Sequence, residues 1–192
     1  MDTKHIMIRA AQKEDADFIA ETVLHAVGLD PVTDSLIHRI AQLCTYDKVL
    51  YSWRNTFIAE YDNRITGALV GYAGNDYLTM KALTIQLMSM EEMPFYNPEF
   101  AESFKMMIPE TKPGEYYIDS LYVKPDARNL GIASELIKNT ISTAKNLCLG
   151  AITLAVAPEN HKARRLYSSL GFQEGEQEFI FGEWYTKMIC NA

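Results

Sequence analysis

Between Ser120 and Ala133 the chain reads SLYVKPDARNLGIA, and the residue types in this run suit the binding of an anion. Arg128 supplies a guanidinium that can grip phosphate oxygens in a bidentate way. Gly131 leaves the backbone open to close approach. Beyond it, Ile132, Leu136, Ile137, Ile141 and Ala144 recur at helical spacing. A helix that starts there exposes unpaired N–H groups and the positive end of its dipole beside Arg128. The ligand such a junction fits is a diphosphate. The run has neither the Gly-Lys-Ser/Thr ending of a Walker loop nor the three spaced glycines of a dinucleotide loop.

A second constellation lies in APENHKARRLYSSLGF, Ala157 to Phe172. Asn160 is a good N-cap, and Gly171 fits the helix end. Asn160, Ala163, Arg164 and Tyr167 then share one helical face, polar at its start, small in the middle and phenolic at its far end. An elongated ligand could lie along that face. The same pattern also describes an amphipathic helix with a capping Asn and a core Tyr.

The elements that position these blocks follow from patterning. Leu121, Tyr122 and Val123 favour a strand that Pro125 and Asp126 stop, and Ala151 to Ala157 reads as another, ended by Pro158. Upstream, Ile6 to Ala10 reads as a strand, Lys13 to Ala26 as a helix, and Ser35 to Cys44 as a second helix capped by Asp34. Asn55 to Glu60 and Ile65 to Tyr72 read as a hairpin turning at Tyr61 to Arg64. Gly67, Gly71 and Gly74 read as thin positions in the sheet. Phe179 to Phe181 and Trp184 to Ile189 give two closing strands. Residues 76–113, rich in Met and aromatic residues and broken by Pro94, Pro98, Pro109 and Pro113, read as a helical insertion between the third and fourth strands. Such a surface can cover a groove or a partner, or can simply complete the core.

Composition narrows the classes. A chain of 192 residues with 48% hydrophobic content suits one soluble domain. No apolar run reaches membrane-spanning length, and Met1 to His5 leads into no signal-peptide core. Cys44, Cys148 and Cys190 are scattered and read as reduced thiols of a cytoplasmic protein. The four histidines lack metal-ligand spacing, so no metal is expected. Residues 120–170 hold seven Lys/Arg against three acids, net +4 in a chain of net −7, which leaves −11 elsewhere. A basic island in an acidic chain suits an anionic cofactor beside a cationic second substrate, and it argues against nucleic acid. Ordinary solubility charge would account for the acidic remainder as well.

Arg128-Asn129-Leu130-Gly131-Ile132-Ala133 resembles the acyl-coenzyme A pyrophosphate loop, Arg/Gln-x-x-Gly-x-Gly/Ala, of the GNAT N-acetyltransferase family. Asn160, Ala163, Leu166, Tyr167, Gly171 and Phe172 match that family's Asn-x-x-Ala-x-x-Leu-Tyr-x-x-x-Gly-Phe block. Ala133 stands where many members carry Gly. The resemblance implies an α/β (α+β) GNAT fold, with residues 1–192 as one domain. It also implies a mixed, mostly antiparallel sheet of about seven strands, flanked by helices and splayed by a bulge after the fourth strand. The implied co-substrate is acetyl-coenzyme A. Its pantetheine arm would pair with backbone near Leu121, Tyr122 and Val123, its pyrophosphate would meet Arg128, Asn129, Leu130, Gly131, Ile132 and Ala133, and Asn160 and Tyr167 would contact it from the helix face. A homodimer is compatible with this reading.

The implied reaction has its own demands. An alkyl ammonium of pKa about 10.4 is a free amine only about one time in a thousand near pH 7.4, so the acceptor needs a route for losing a proton. The oxyanion needs a preorganised donor, for which the Val123 N–H is placed if the strand bulges there. Tyr167, by its motif position, is the acid beside the departing sulfur. Asp119 alternates with Leu121 and Val123 and is the candidate base, directly or through water, with Glu115 and Tyr117 in reserve. Asp119 reads equally as a buried structural carboxylate. The expected function is acetyl transfer to the primary amine of a small molecule or peptide. The alternative is a non-catalytic acyl-coenzyme A-binding module whose Met-rich segment engages a protein.

Overall fold

Period-two patterning and short turns dictate the sheet. A computed structural model describes residues 5–192; residues 1–4, part of the stretch read for a leader, lie outside the described residues. Strand β1 (Ile6–Ala10) leads into helices α1 (Ala16–Ala26) and α2 (Asp34–Cys44), and then into β2 (Thr56–Tyr61) and β3 (Arg64–Ala73). Helices α3 (Tyr77–Met88) and α4 (Pro98–Met106) precede β4 (Glu115–Val123). After β4 come α5 (Ile132–Asn146), β5 (Ala151–Val156), α6 (His161–Ser169), β6 (Gln173–Ile180) and β7 (Glu183–Asn191). The strands form one seven-stranded sheet, ordered β1-β2-β3-β4-β5-β7-β6. Its one parallel pair among the described residues is β4 with β5.

Element order follows the sequence reading, with local differences that have local causes. Helix α1 starts at Ala16, because Lys13–Asp15 forms a 3-10 turn. The Asp15 carboxylate there is held by Arg9 at 2.7 Å and by the Gln12 N–H at 2.7 Å. Thr33, not Asp34, caps α2, its hydroxyl accepting from the Leu36 N–H at 3.3 Å. In the β2–β3 turn, Asp62 and Asn63 both take positive φ (53° and 57°), which matches a tight hairpin.

Each face of the sheet carries its own core. Helices α1 to α4 cover one face, where Ile19, Leu43, Val70, Tyr72, Tyr77 and Phe104 pack with Tyr117. Helices α5 and α6 cover the other, where Leu69, Ile118, Leu136 and Tyr167 pack together. The α3–α4 segment belongs largely to the first core through Tyr77, Phe95, Ala101 and Phe104, while Met106 and Ile108 stay exposed at 78% and 83%.

The decisive irregularity lies between β3 and β4. Val70 pairs with Ser120 and Gly71 with Ile118, so Asp119 is an extra residue in β4, a β-bulge. The bulge reverses the alternation of side chains. Tyr117 packs in the first core, whereas Leu121 and Val123 pack against the second. Asp119 accepts a hydrogen bond from Tyr72 and therefore sides with Tyr117. The expectation that Asp119, Leu121 and Val123 share a face is thus overturned by one inserted residue. The bulge also lies at Asp119 and not at Val123.

Gly71 makes this pairing feasible. A Cβ there would meet the Tyr116 ring at 2.7 Å and the Tyr117 carbonyl at 2.8 Å. Gly71→Ala is expected to lower stability by about 1–3 kcal/mol through overpacking. Gly150→Ala, whose Cβ would meet only the Gly114 carbonyl at 3.8 Å, should change it by less than about 0.5 kcal/mol. Urea unfolding of the two variants checks both values.

Candidate functional site

The parallel β4–β5 pairing covers only Glu115 to Ile118 against Ala151 to Leu154. Beyond it the strands part. The Lys124 N–H bonds the Thr66 carbonyl at 2.9 Å, which sets the phase of the β3–β4 ladder. Alternation then turns the amides of Leu121 and Val123 toward the gap. A cleft of about 560 Å³ occupies it, with Leu121, Tyr122 and Val123 on one wall, Asn160, Lys162, Ala163, Leu166 and Tyr167 on the other, and the Ala127–Ser134 loop at its end.

The loop end is built for an anion. Asn129 and Gly131 take positive φ, 63° and 85°, and bend the chain into α5. No side chain caps this helix start, so its first N–H groups remain available to a ligand. Ile132 is pressed onto β3 where Gly67 has no side chain; a Cβ at Gly67 would lie 3.0 Å from Ile132 Cγ2. That contact sets the distance of the helix start from the sheet. The Arg128 Nε donates to the Val123 carbonyl at 3.1 Å, bracing the end of β4.

Nearly every predicted contact residue lines the cleft, namely Leu121, Tyr122, Val123, Arg128, Asn129, Gly131, Ile132, Ala133, Asn160 and Tyr167. Leu130 does not, and stands 44% exposed. Arg164 does not either, because its guanidinium is taken by Glu174 at 2.6 Å and the Pro158 carbonyl at 2.8 Å. Lys162 was not foreseen. It donates to Asn129 Oδ1 at 3.3 Å and brings a second cation to the loop; its sequence signals are its share in the basic surplus of residues 120–170 and its place two residues after Asn160.

On α6, the Asn160 Oδ1 accepts from the Ala163 N–H at 3.1 Å, leaving its NH₂ free to donate. The Tyr167 ring is buried against Phe172, centroids 5.8 Å apart. Its hydroxyl has no hydrogen-bond partner among the described residues and lines the cleft. Burial pushes its pKa up to about 12, so the phenol keeps its proton at neutral pH.

Asp119 lies outside this cleft, on the opposite face. Its Oδ2 accepts from the Tyr72 hydroxyl at 2.7 Å and its Oδ1 from the Ser120 hydroxyl at 2.7 Å. Burial raises its pKa and these two bonds oppose the rise. The same face holds Glu110, which the sequence reading missed. Its two oxygens accept from Tyr77 and Tyr117, each at 3.3 Å. Burial, and then the nearby Asp119 charge, raise Glu110 to a pKa of about 7, while Tyr77, Lys81 and Tyr117 hold it down. The rings of Tyr72, Tyr77 and Tyr117 lie about 6 Å apart and join the two carboxyls into one cluster. Of the reserve candidates, Tyr117 belongs to this cluster. Glu115 is buried at the start of β4, bonded by the Thr111 hydroxyl and the Lys112 N–H, both at 3.3 Å. Phe181, in the β6–β7 turn, stacks on Phe100 at 5.1 Å and closes that hairpin onto α4 on the same face.

Residues 30–172 match the acetyltransferase (GNAT) family. The chain belongs to the GNAT family. A 58-residue stretch is 38% identical to the Bos taurus thialysine N-epsilon-acetyltransferase, covering 30% of this chain and 34% of that protein. An 84-residue stretch is 37% identical to the Homo sapiens cysteine-rich protein 2-binding protein, covering 43% of this chain and 10% of that protein. The matches therefore span about a third and about a tenth of these relatives' lengths. A crystal structure of an acetyltransferase superposes on this GNAT chain with a TM-score of 0.74 and 26% identity, over 96% of this chain and 98% of that one. Among the described residues no group of three or more His, Cys, Asp or Glu could hold a metal, and no helix is long and apolar enough to cross a membrane.

The raised Glu110 pKa has a consequence for stability. Between its ordinary value of 4.5 and about 7, the folded chain keeps a proton that the unfolded chain gives up. Stability contributed here is therefore full below pH 4.5 and is lost as pH rises toward 7. Glu110→Gln should flatten this part of the profile, which urea midpoints measured across that pH range will show.

Proposed function

We propose that this GNAT chain transfers an acetyl group from acetyl-coenzyme A to the primary amine of a small molecule or peptide. The observation that carries the reading is the gap between β4 and β5. It brings free strand amides, an uncapped helix start and the unbonded Tyr167 hydroxyl into one cleft. Acetyl-coenzyme A supplies an activated acyl thioester. Three kinds of group in the cleft suit its parts. The gap-facing Val123 amide complements a pantetheine amide chain as a strand would. The α5 start, with Arg128 and Lys162, complements the diphosphate. The Asn160 NH₂ and Tyr167 hydroxyl lie along the α6 wall.

Within this reading each residue has a duty. The Leu121 N–H, which faces the gap just past the bulge, stabilises negative charge that develops on the acyl oxygen. The Tyr167 hydroxyl, still protonated at neutral pH, donates toward the sulfur as it leaves. The bulge sets Asp119 on the opposite face, and the acceptor approaches there, where the carboxyls can relieve its nitrogen of a proton. The bovine relative is named for acetylating thialysine, which supports an alkyl amine acceptor. A purely binding module would need the cleft but not the free phenol or the carboxyls beyond the gap.

Two measurements test the reading. Acetyl-coenzyme A should stabilise the chain in calorimetry, by about 2.7 kcal/mol at a hundred times its Kd. NAD and ATP should do so far less. Gly131→Ala places a side chain at φ +85°, a strain of about 1 kcal/mol, and should weaken this stabilisation; if the coenzyme leaves wild-type stability unchanged, the assignment is wrong. Thiol release with an amine panel separates the enzyme from the binding module. Tyr167→Phe keeps the ring packing and removes only the hydroxyl. Turnover should fall about ten- to a thousandfold with coenzyme affinity little changed, whereas undiminished turnover would return Tyr167 to a packing role.

A further inference from the structure

Two carboxyls stand on the acceptor face, and they are held differently. Asp119 lies at the bulge with each oxygen engaged by a short hydroxyl bond of 2.7 Å, from Tyr72 and Ser120. Glu110 receives one longer phenol bond of 3.3 Å on each oxygen; both carboxyls keep lone pairs, and those of Glu110 are on the more loosely held group. Both residues are half-buried rather than sealed in the core. Glu110 sits in the segment between α4 and β4. That segment is tied down by Lys81 of α3, whose Nζ donates to the Met107 carbonyl at 3.0 Å and lies 4.7 Å over the Phe104 ring.

We propose that Glu110, rather than Asp119, takes the proton from the incoming acceptor, and that the acceptors are therefore alkyl amines that arrive as ammonium ions. The proposal rests on the acetyl-transfer reading above. The ammonium passes one proton to a Glu110 oxygen, and the freed nitrogen lone pair forms the C–N bond as the C–S bond breaks. The nitrogen's second proton replaces the one that Tyr167 gives to sulfur. Glu110 then releases its proton to solvent, so the sum is amide, free thiol and one proton. Asp119 is a positioning residue. Its hydrogen bond from Tyr72 fixes one side of the three-tyrosine cluster, and its charge acts on Glu110.

The groups around Glu110 agree with this role. From α3 it meets Tyr77 and Lys81, from β4 Tyr117 and Asp119; Tyr72 of β3 and the buried Tyr51 feel its charge, and Glu178 of β6 acts on Tyr117. The balance is two lysines, Lys81 and the Lys187 that pairs with Glu178 at 3.1 Å, against three acids around a phenol-lined, desolvated cluster. A carboxylate of ordinary pKa is about 6 units weaker as a base than an alkyl amine. At about 7, Glu110 narrows that gap to about 3 units and is still half ionised at neutral pH.

The test compares wild type, Glu110→Gln and Asp119→Asn, each with acetyl-coenzyme A and with lysine, thialysine, butylamine or aniline as acceptor. Aniline is already unprotonated at pH 7 and needs no base. With alkyl amines at pH 7, Glu110→Gln should lose about a hundred- to ten-thousandfold in kcat/KM. The loss should shrink as pH rises and be slight with aniline. Asp119→Asn should keep the acidic limb of the pH profile but move it to lower pH. Carbon-13 NMR of carboxyl-labelled Glu gives a second readout, a resonance titrating near pH 7 that Glu110→Gln lacks and Asp119→Asn shifts downward. If Glu110→Gln retains both its rate and its pH profile with alkyl amines, or if no such resonance exists, Glu110 is not the base. Wild-type protein that binds the coenzyme yet acetylates no amine overturns the transferase reading and the base with it. Loss of alkyl and aniline rates alike in Glu110→Gln assigns it a structural role and also overturns the proposal.

Discussion

A β-sheet obliges its strands to pair, and this one stops pairing in its middle. After Ile118 and Leu154, β4 and β5 have no ladder between them, although β4 continues to Val123 and β5 to Val156. Backbone N–H and C=O groups left there must find partners, since an unmet group out of water costs about 1–3 kcal/mol. The Arg128 side chain meets one such carbonyl, at Val123. The remaining outward-facing groups of Leu121 and Val123 are a half-built ladder that a ligand with amide groups would complete. The rest of the site is arranged around that opening.

The loop that ends the cleft depends on two small residues far apart in sequence. Gly67 in β3 lets Ile132 settle on the sheet, which holds the start of α5 close to the gap. Gly131 supplies the left-handed turn that points the first helical amides toward it. Lys162, arriving from α6, bonds Asn129 and draws the two walls of the cleft together at the same point. The cationic end of the cleft is thus built by packing as much as by charge.

Much of this was legible in the residues. The Arg128–Ala133 loop, the Asn160 cap and the Tyr167 position are local patterns, set by turn chemistry and helical spacing within a few residues. The order of elements was legible for the same reason. The bulge at Asp119 was not, because it is a mismatch of register between β3 and β4 and no residue type announces it. It moved Asp119 to the face opposite Leu121 and Val123. Glu110 was invisible for a related reason. Its partner Tyr77 lies 33 residues away, and in the sequence it is one acid in a proline-broken segment. Thr33 displaced Asp34 as a cap because adjacent capping residues compete, and spacing alone does not choose between them.

The sheet also keeps two electrostatic environments apart. On one face of the sheet, Arg128, Lys162 and the α5 start make a basic end to the cleft; on the other, Asp119 and Glu110 stand among tyrosines. A guanidinium beside Glu110 would favour its ionised form and pull its pKa down, out of the neutral range. The charged groups that act on it are Asp119, which raises it, and Lys81, which lowers it as the Tyr77 and Tyr117 bonds do, with burial the largest influence. The order of those causes means that drying the cluster, more than neighbouring charge, sets the carboxyl's proton affinity. One inserted residue in β4 therefore sets Asp119 on the face of Glu110 and the tyrosines, while Leu121 and Val123 line the cleft on the other.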